Sequence, residues 1–314
     1  MLGESYSGYA ESVHGSLESG MAVLRSLLFV PGNRTDMLAK ATSLTPDAFV
    51  PDMEDSVPVE EKTHARNITA SFVPQLAQGG ALVIPRVNSL DTGLLAEDLA
   101  AVVGPHIYGV SVGKIYTPQD VETISDILAR LELKAGVPMG HTKLVLWMET
   151  AMAIVHAYAI CTASPRIVGA AFGAEDLTHD MGLERTADDS EVAVPRSIVC
   201  IAARAANVLA LDTPYFLFRD PEGLKHNALA SKKIGFKGKF AIHPSQLEII
   251  NATFSPSPAD IEHARRVVAA FEEAERAGKG STSLDGKVVD VPVVKRARAL
   301  LEVAESIQHG RNPS

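Results

Sequence analysis

The sequence predicts an α/β protein: a single (β/α)8 (TIM) barrel followed by a C-terminal helical extension. From Arg25 onward, short apolar runs rich in Val, Ile, Leu and Ala alternate with longer segments of helical period, as in parallel strands joined by helices. Eight such runs fall within about 230 residues, the span that eight β/α units need. An open doubly wound sheet would show fewer strands and a glycine-rich first turn.

The expected strands lie at 26–30, 48–53, 81–87, 108–112, 143–148, 167–172, 208–211 and 239–242. Each is so continuously apolar that both of its faces must be covered. Ala65, Ile68, Phe72 and Leu76 fall three and four apart, on one helical stripe. Thr117 caps a helix that opens with Pro118 and carries Asp120 in its first turn. After residue 254, SPSP at 255–258 breaks the chain and starts a helix with Ile261, Ala264, Val268 and Phe271 on one stripe. A glycine-rich turn at 278–280 precedes the extended string LDGKVVDVP at 284–292, and Val294, Ala297, Leu301 and Ala304 mark a last helix. The domain plan is an N-terminal arm at 1–24, a barrel at 25–254 and an extension at 255–314. The extension cannot bury its apolar stripes alone and is expected to pack on this barrel or on a neighbour's.

Of the 314 residues, 46% are hydrophobic and 21% charged, enough apolar material for a core and no disorder signature. Lys plus Arg number 29 against 38 Asp plus Glu, a net charge of −9, the wrong sign for gripping nucleic acid or an anionic membrane. No apolar run approaches the ~20 residues of a spanning helix. The Gly/Ser-rich start carries Glu4, Glu11 and Glu18, unlike a signal peptide. Cys161 and Cys200 each lie in an apolar helical stretch, where two buried thiols in a reducing cytoplasm are expected.

Barrel enzymes carry their chemistry at the C-terminal ends of the strands. There the sequence puts Asp52, Glu54 and Asp55, then Arg86 with Asn88, Lys114, Glu149, Glu175 with Asp176, and His243. So many uncompensated charges near a core would cost several kcal/mol each, so a site accounts for them better than stability does. Glu149 and Asp176 follow neighbouring strands and suit Mg²⁺, which takes a few carboxylates and leaves open positions to water and substrate. The competing reading is a pair of solvated carboxylates or helix caps. Zinc is disfavoured, since no C-x-x-C or H-E-x-x-H spacing occurs. Arg86 could bind a carboxylate or a developing oxyanion, or equally form a structural ion pair with one of the acids at 52–55. The turn LLFVPGNR at 27–34 puts Arg34 before a helix containing Lys40, an anion cradle or an ordinary βα loop. His243 is a binding candidate or a hydrogen-bonded structural group, and by spacing alone Asp290 is a surface residue.

Taken together, LLFVPGNR, PDMEDSV with Lys62 and Arg66, IPRVNSLDT, LWMETA, FGAEDLTHDMG, GKFAIHPSQ, FSPSP and DGKVVDVPVVKRA resemble, in order and spacing, the citrate lyase β-subunit-like proteins of the HpcH/HpaI aldolase superfamily. That group includes the malyl-CoA and citramalyl-CoA lyases, and the likeness runs from Arg25 to about residue 308. The resemblance implies Mg²⁺, replaceable by Mn²⁺, on Glu149 and Asp176, with Glu54 and Asp55 holding metal-bound waters. Arg86 would hold the thioester or enolate oxygen. Phe29, Arg34, Lys40, Ile242 and His243, together with Glu175, would contact the acyl-CoA. The acid/base carries over to Asp290, so catalysis would rest on Asp290, Arg86 and Glu54. A homotrimer or hexamer is implied, with the C-terminal segment reaching a neighbouring subunit. The implied reaction cleaves citramalyl-CoA or malyl-CoA to acetyl-CoA and a 2-oxo acid, pyruvate or glyoxylate. The alternatives are a citrate lyase β subunit acting on citryl-acyl carrier protein, a malyl-CoA thioesterase and a CoA-binding scaffold. Departures from the family pattern are Met152 and Ala153 after the metal glutamate, Gly113 where proline is usual, and Pro51 within the second strand.

Overall fold

The structure is a computed structural model that describes residues 22–186 and 188–308. Of the arm expected at 1–24, positions 1–21 lie outside the described residues. Chain contacts separate a barrel unit, Leu24–Phe254, from a unit that contains the chain from Ser255 onward.

In the barrel unit the strands are β1 (Ser26–Pro31), β2 (Ala48–Asp52), β3 (Leu82–Val83), β4 (Arg86–Val87), β5 (Gly109–Val112), β6 (Lys143–Met148), β7 (Ile167–Phe172), β8 (Leu209–Asp212) and β9 (Gly238–Ala241). All pair in parallel, and β9 pairs with β1, which closes the sheet. The expected third strand appears as two short pieces, because Pro85 between them has no N–H for the ladder. β2 runs through Pro51, which pairs opposite Val30, so the proline does not end the strand.

The helices of this unit are α1 (Thr35–Ala41), α2 (Lys62–Ala77), α3 (Leu95–Val102), α4 (Pro118–Ala135), α5 (Ala151–Val155), α6 (Ala157–Cys161), α7 (Ala174–Asp180), α8 (Ala193–Ala205), α9 (Pro221–Ile234) and α10 (Leu247–Phe254). Ala65 and Leu76 of α2 are buried, with Ile68 and Phe72 packed against the same core. Thr117 and Asp120 form a capping box at the start of α4. Cys161 and Cys200 are buried and unpaired, and burial pushes both thiols up to about 12.

Two layers of side chains hold the barrel. Outward-facing apolar residues pack under the helices. Inside, the rings of Phe29, Trp147 and Phe240 lie 4.5–5.9 Å apart, and Trp147 Nε1 donates to Ser111 Oγ at 2.8 Å. This aromatic plug is the floor beneath the strand ends. Between sheet and helices, fully buried Lys239 and Asp212 pair at 2.6 Å, and Arg196 of α8 reaches the same carboxylate at 2.9 Å and Asp189 at 3.4 Å, so two cations face two acids.

The second unit contains α11 (Pro258–Arg276), a hairpin of β10 (Thr282–Leu284) and β11 (Lys287–Val289), and α12 (Val291–Gln308). Ser257 and Asp260 form the capping box of α11. Ala264, Val267, Phe271, Val289, Val294 and Ala297 make this unit's own small core. The string expected to be extended at 284–292 is so only in part: Leu284 ends β10, Asp285 and Gly286, both at positive φ, turn the hairpin with the Asp-Gly pairing that such turns favour, 287–289 form β11, and Val291 and Pro292 already belong to α12. No helix of the described residues is long and apolar enough to cross a membrane.

Candidate active site

Parallel closure brings the C-terminal ends of all the strands to one rim, so residues far apart in sequence converge there. Asp52 ends β2. Its carboxylate accepts from Arg86 Nε at 2.7 Å and Nη2 at 2.6 Å, and from the backbone N–H of Glu54 and of Ser56. Burial by itself pushes this carboxyl up, but the charge and hydrogen bonds of Arg86 outweigh it and hold the group below its ordinary value. The guanidinium lies over the Phe29 ring, 4.7 Å from its centroid, and is held more firmly protonated by these acids.

The second edge of Arg86 meets Asp55 at 3.0 Å and Glu54 at 3.3 Å. The structural ion pair that the sequence left open is therefore present, and Arg86 also faces the rim through Nη1. Lys114 Nζ reaches Glu54 at 2.8 Å and Asp55 at 3.3 Å, while Lys62 Nζ donates to the carbonyls of Met53 and Glu54. Asn88 is structural: its amide ties Met53 O to the buried Asp98.

Glu149 follows β6 and is buried. It lies between two glycines: a Cβ on Gly113 would come within 2.7 Å of its Oε1, and one on Gly173 within 2.6 Å of its Cβ and 2.7 Å of its Oε2. Its Oε1 accepts from the backbone N–H of Lys114 at 2.6 Å. Lys114 takes φ 52°, a left-handed backbone that costs a non-glycine residue about 1–2 kcal/mol. Burial first, then the charges of Asp176 and Glu54, push the Glu149 carboxyl up to about 8. Burial also pushes Glu54 upward, and Asp55 adds to it against the pull of Arg86 and Lys114.

Asp176 lies in the first turn of α7, half-buried, with no hydrogen-bond or ion-pair partner among the described residues. Its neighbour Glu175 is exposed and paired with Arg185 at 3.0 Å. Among the named rim acids, Glu149 and Asp176 are thus the two without a cationic side chain on them. No group of three or more His, Cys, Asp and Glu side chains forms a metal cage among the described residues. A carboxylate pair with positions left for water and substrate is nonetheless how Mg²⁺ is commonly held, and two carboxyl groups without cations match a divalent ion.

The other expected contacts are more dispersed. Arg34 immediately precedes α1 and forks onto Asp36, while Lys40 stands in the last turn, about 9 Å along the axis by helical rise. Gly32 of the Pro-Gly turn donates to Asp52 O, and a Cβ there would lie 2.6 Å from that oxygen, so close strand packing accounts for it. His243 is exposed, bonds Ser245 through Nδ1 and stacks on Phe218 at 4.9 Å. The Ile242 N–H donates to Gln246 Oε1. Asp290, in the second unit, caps α12 by accepting from Val293 N at 3.2 Å. Sequence reasoning missed the two glycines around Glu149, the hold of Arg185 on Glu175, and the double contact of Lys114. A Gly-Lys pair just after an apolar run was the available signal for the last of these.

A family profile described as HpcH/HpaI aldolase/citrate lyase matches residues 25–244. The chain belongs to this family. Citrate lyase subunit beta of Haemophilus influenzae is 36% identical over 286 residues, covering 91% of this chain and 98% of that one. A (3S)-malyl-CoA thioesterase of Cereibacter sphaeroides is 38% identical over 283 residues, covering 90% and 95%. CitE from Mycobacterium tuberculosis, crystallised with magnesium, acetoacetate and coenzyme A, is 29% identical with a TM-score of 0.72, covering 89% of this chain and 97% of that one. A citrate lyase from Burkholderia xenovorans, 18% identical with a TM-score of 0.82 and 97% of each chain covered, shares the fold. This family member is thus a citrate lyase β-like barrel with an acidic rim.

Asp52→Ala should destabilise the protein by about 3–5 kcal/mol in denaturant titration, because it takes the bidentate partner from a buried guanidinium and leaves it only Asp55 and Glu54 on its other edge; an unchanged midpoint would remove the pair from the stability argument. Glu149 predicts a pH effect. Its folded pKa of about 8 lies above the ordinary 4.5, so in metal-free protein stability is intact below about pH 4.5 and is lost as pH rises through 8. Glu149→Gln should therefore stabilise metal-free protein at pH 8.5, by an amount on the order of a few kcal/mol, and leave it unchanged at pH 4. Equal stability of variant and parent at pH 8.5 would refute a cost of ionising this carboxyl.

Proposed function

We propose that this protein is a Mg²⁺-dependent acyl-CoA lyase that cleaves a 3-hydroxyacyl-CoA dicarboxylate, citramalyl-CoA or malyl-CoA, into acetyl-CoA and pyruvate or glyoxylate. The observation that carries this reading is the pair Glu149 and Asp176, left without cations on a rim where the neighbouring acids are compensated. Magnesium in the related CitE structures supports it, and Mn²⁺ is expected to substitute.

Glu149 and Asp176 would hold Mg²⁺, which would supply Lewis acidity to the oxo-acid part of the substrate. Arg86, one edge fixed by Asp52, shares its Nη1 edge between Asp55 and the thioester oxygen and stabilises the charge that gathers there as the carbon–carbon bond breaks. Asp290 takes the hydroxyl proton and returns it to the acetyl carbon; in condensation it removes a proton from the acetyl methyl. Glu54 and Asp55, held by Arg86 and Lys114, would orient water beside that ion. Arg34 and Lys40 meet CoA phosphates, whose charge needs only local cations despite the acidic total. Phe29, Glu175, Ile242 and His243 complete the acyl-CoA contacts, and a neighbouring subunit in a trimer or hexamer supplies Asp290.

Hydrolysis is a second reading, favoured by the relative named (3S)-malyl-CoA thioesterase. Incubating the protein and Mg²⁺ with citramalyl-CoA and malyl-CoA separates the two: a lyase releases oxo acid and leaves CoA acylated, whereas a thioesterase releases free thiol and no oxo acid. Neither product from either substrate would refute both. Asp290→Asn, which keeps a good helix cap, should preserve Mg²⁺ affinity while lowering kcat by about 10²–10⁴-fold; retained turnover would remove Asp290 as the base. Mixing Asp290→Asn with Glu149→Gln protein should restore activity if subunits exchange this residue.

A further inference from the structure

We propose that Lys114 is a positioning residue with two separable tasks: its backbone N–H aims Glu149, and its amine offsets the carboxylates beside the substrate so that an anionic oxo acid can bind. The inference deepens the proposed lyase reading and rests on it for the identity of the anion.

The backbone half follows from geometry. Lys114 is a non-glycine residue with φ 52°, and in that conformation its N–H lies 2.6 Å from Glu149 Oε1. The residue before it is Gly113, where a Cβ would come within 2.7 Å of Glu149 Oε1 and 3.1 Å of Glu54 Oε1. A turn that brings bare backbone against two acids, and holds a lysine in an unfavourable region to do so, needs a reason in the site itself. The N–H fixes the orientation of the carboxylate that would hold the metal.

The side-chain half follows from charge. Asp52, Glu54 and Asp55 stand against Arg86 and Lys114. Without the amine, the three acids would keep only Arg86 in ion-pair contact, with Lys62 bound to the Met53 and Glu54 carbonyls nearby, beside Glu149 and Asp176, which have no cation on them. An incoming carboxylate would meet that field at close range, where partial burial keeps water from screening it.

The experiment uses the full chain with Lys114→Val, Lys114→Asn, Lys114→Gly and Lys114→Arg, and calorimetry with Mg²⁺ and then with pyruvate on the Mg²⁺-loaded protein. Asn and Gly tolerate the left-handed backbone and should bind Mg²⁺ within about threefold of the parent, whereas Val should bind it at least about tenfold more weakly. Should the Val variant not fold, Lys114→Ala, which also disfavours that backbone, takes its place. Asn and Gly should both lose at least about tenfold in pyruvate affinity, with Arg restoring it. Parental Mg²⁺ affinity in the Val or Ala variant would overturn the backbone half, and parental pyruvate affinity in the Gly variant the amine half. A parent protein that binds Mg²⁺ but neither pyruvate nor glyoxylate would refute the oxo-acid reading and the amine half with it, while the Mg²⁺ comparison still decides the backbone half.

Discussion

The interaction on which the rim depends is the bidentate pair of Arg86 and Asp52. Each group is nearly withdrawn from water, and either one left there alone would cost several kcal/mol, since a buried charge without a partner is that expensive. Together they join the end of β2 to the start of β4. The carboxylate also gathers the N–H groups of Glu54 and Ser56, so the loop bearing Glu54 and Asp55 folds over the pair. Below, the guanidinium rests on Phe29, itself wedged against Trp147 and Phe240. The charged rim thus stands on a packed aromatic floor, the kind of support by which a site holds its geometry.

Around that anchor the charges are uneven in a useful way. The acids at 52–55 share Arg86 and Lys114, and Glu175 has Arg185. Glu149 receives a backbone dipole in place of a cation, and Asp176 has no such partner among the described residues. Raising the Glu149 carboxyl to about 8 costs stability in the metal-free state, the kind of local expense that functional sites show. A divalent ion would relieve it.

Much of this was legible in the chain. Buried parallel strands are apolar on both faces, so their runs stand out, and the residue just after each run falls at the rim. Boundaries were less legible. The third strand reads as continuous in sequence yet splits at Pro85, and the string at 284–292 reads as one extended piece yet turns at Asp285 and Gly286 onto a partner strand, 282–284, whose residues carry no apolar period of their own. Lys114 illustrates the deeper limit. Composition marks it as one more rim charge, whereas its weight comes from a backbone angle and from two acids 60 and 35 residues away in sequence.

The sequence by itself determined the barrel, the order of charged groups around its rim and the family likeness, because hydrophobic periodicity and strand-end position are local properties of the chain. The tertiary structure decided which acids are neutralised and which are left bare, that Arg86 is braced by Asp52, and that two glycines and one left-handed lysine enclose Glu149. Those outcomes depend on distances between residues brought together only when the sheet closes, and electrostatic energy follows distance and burial, which sequence spacing does not encode.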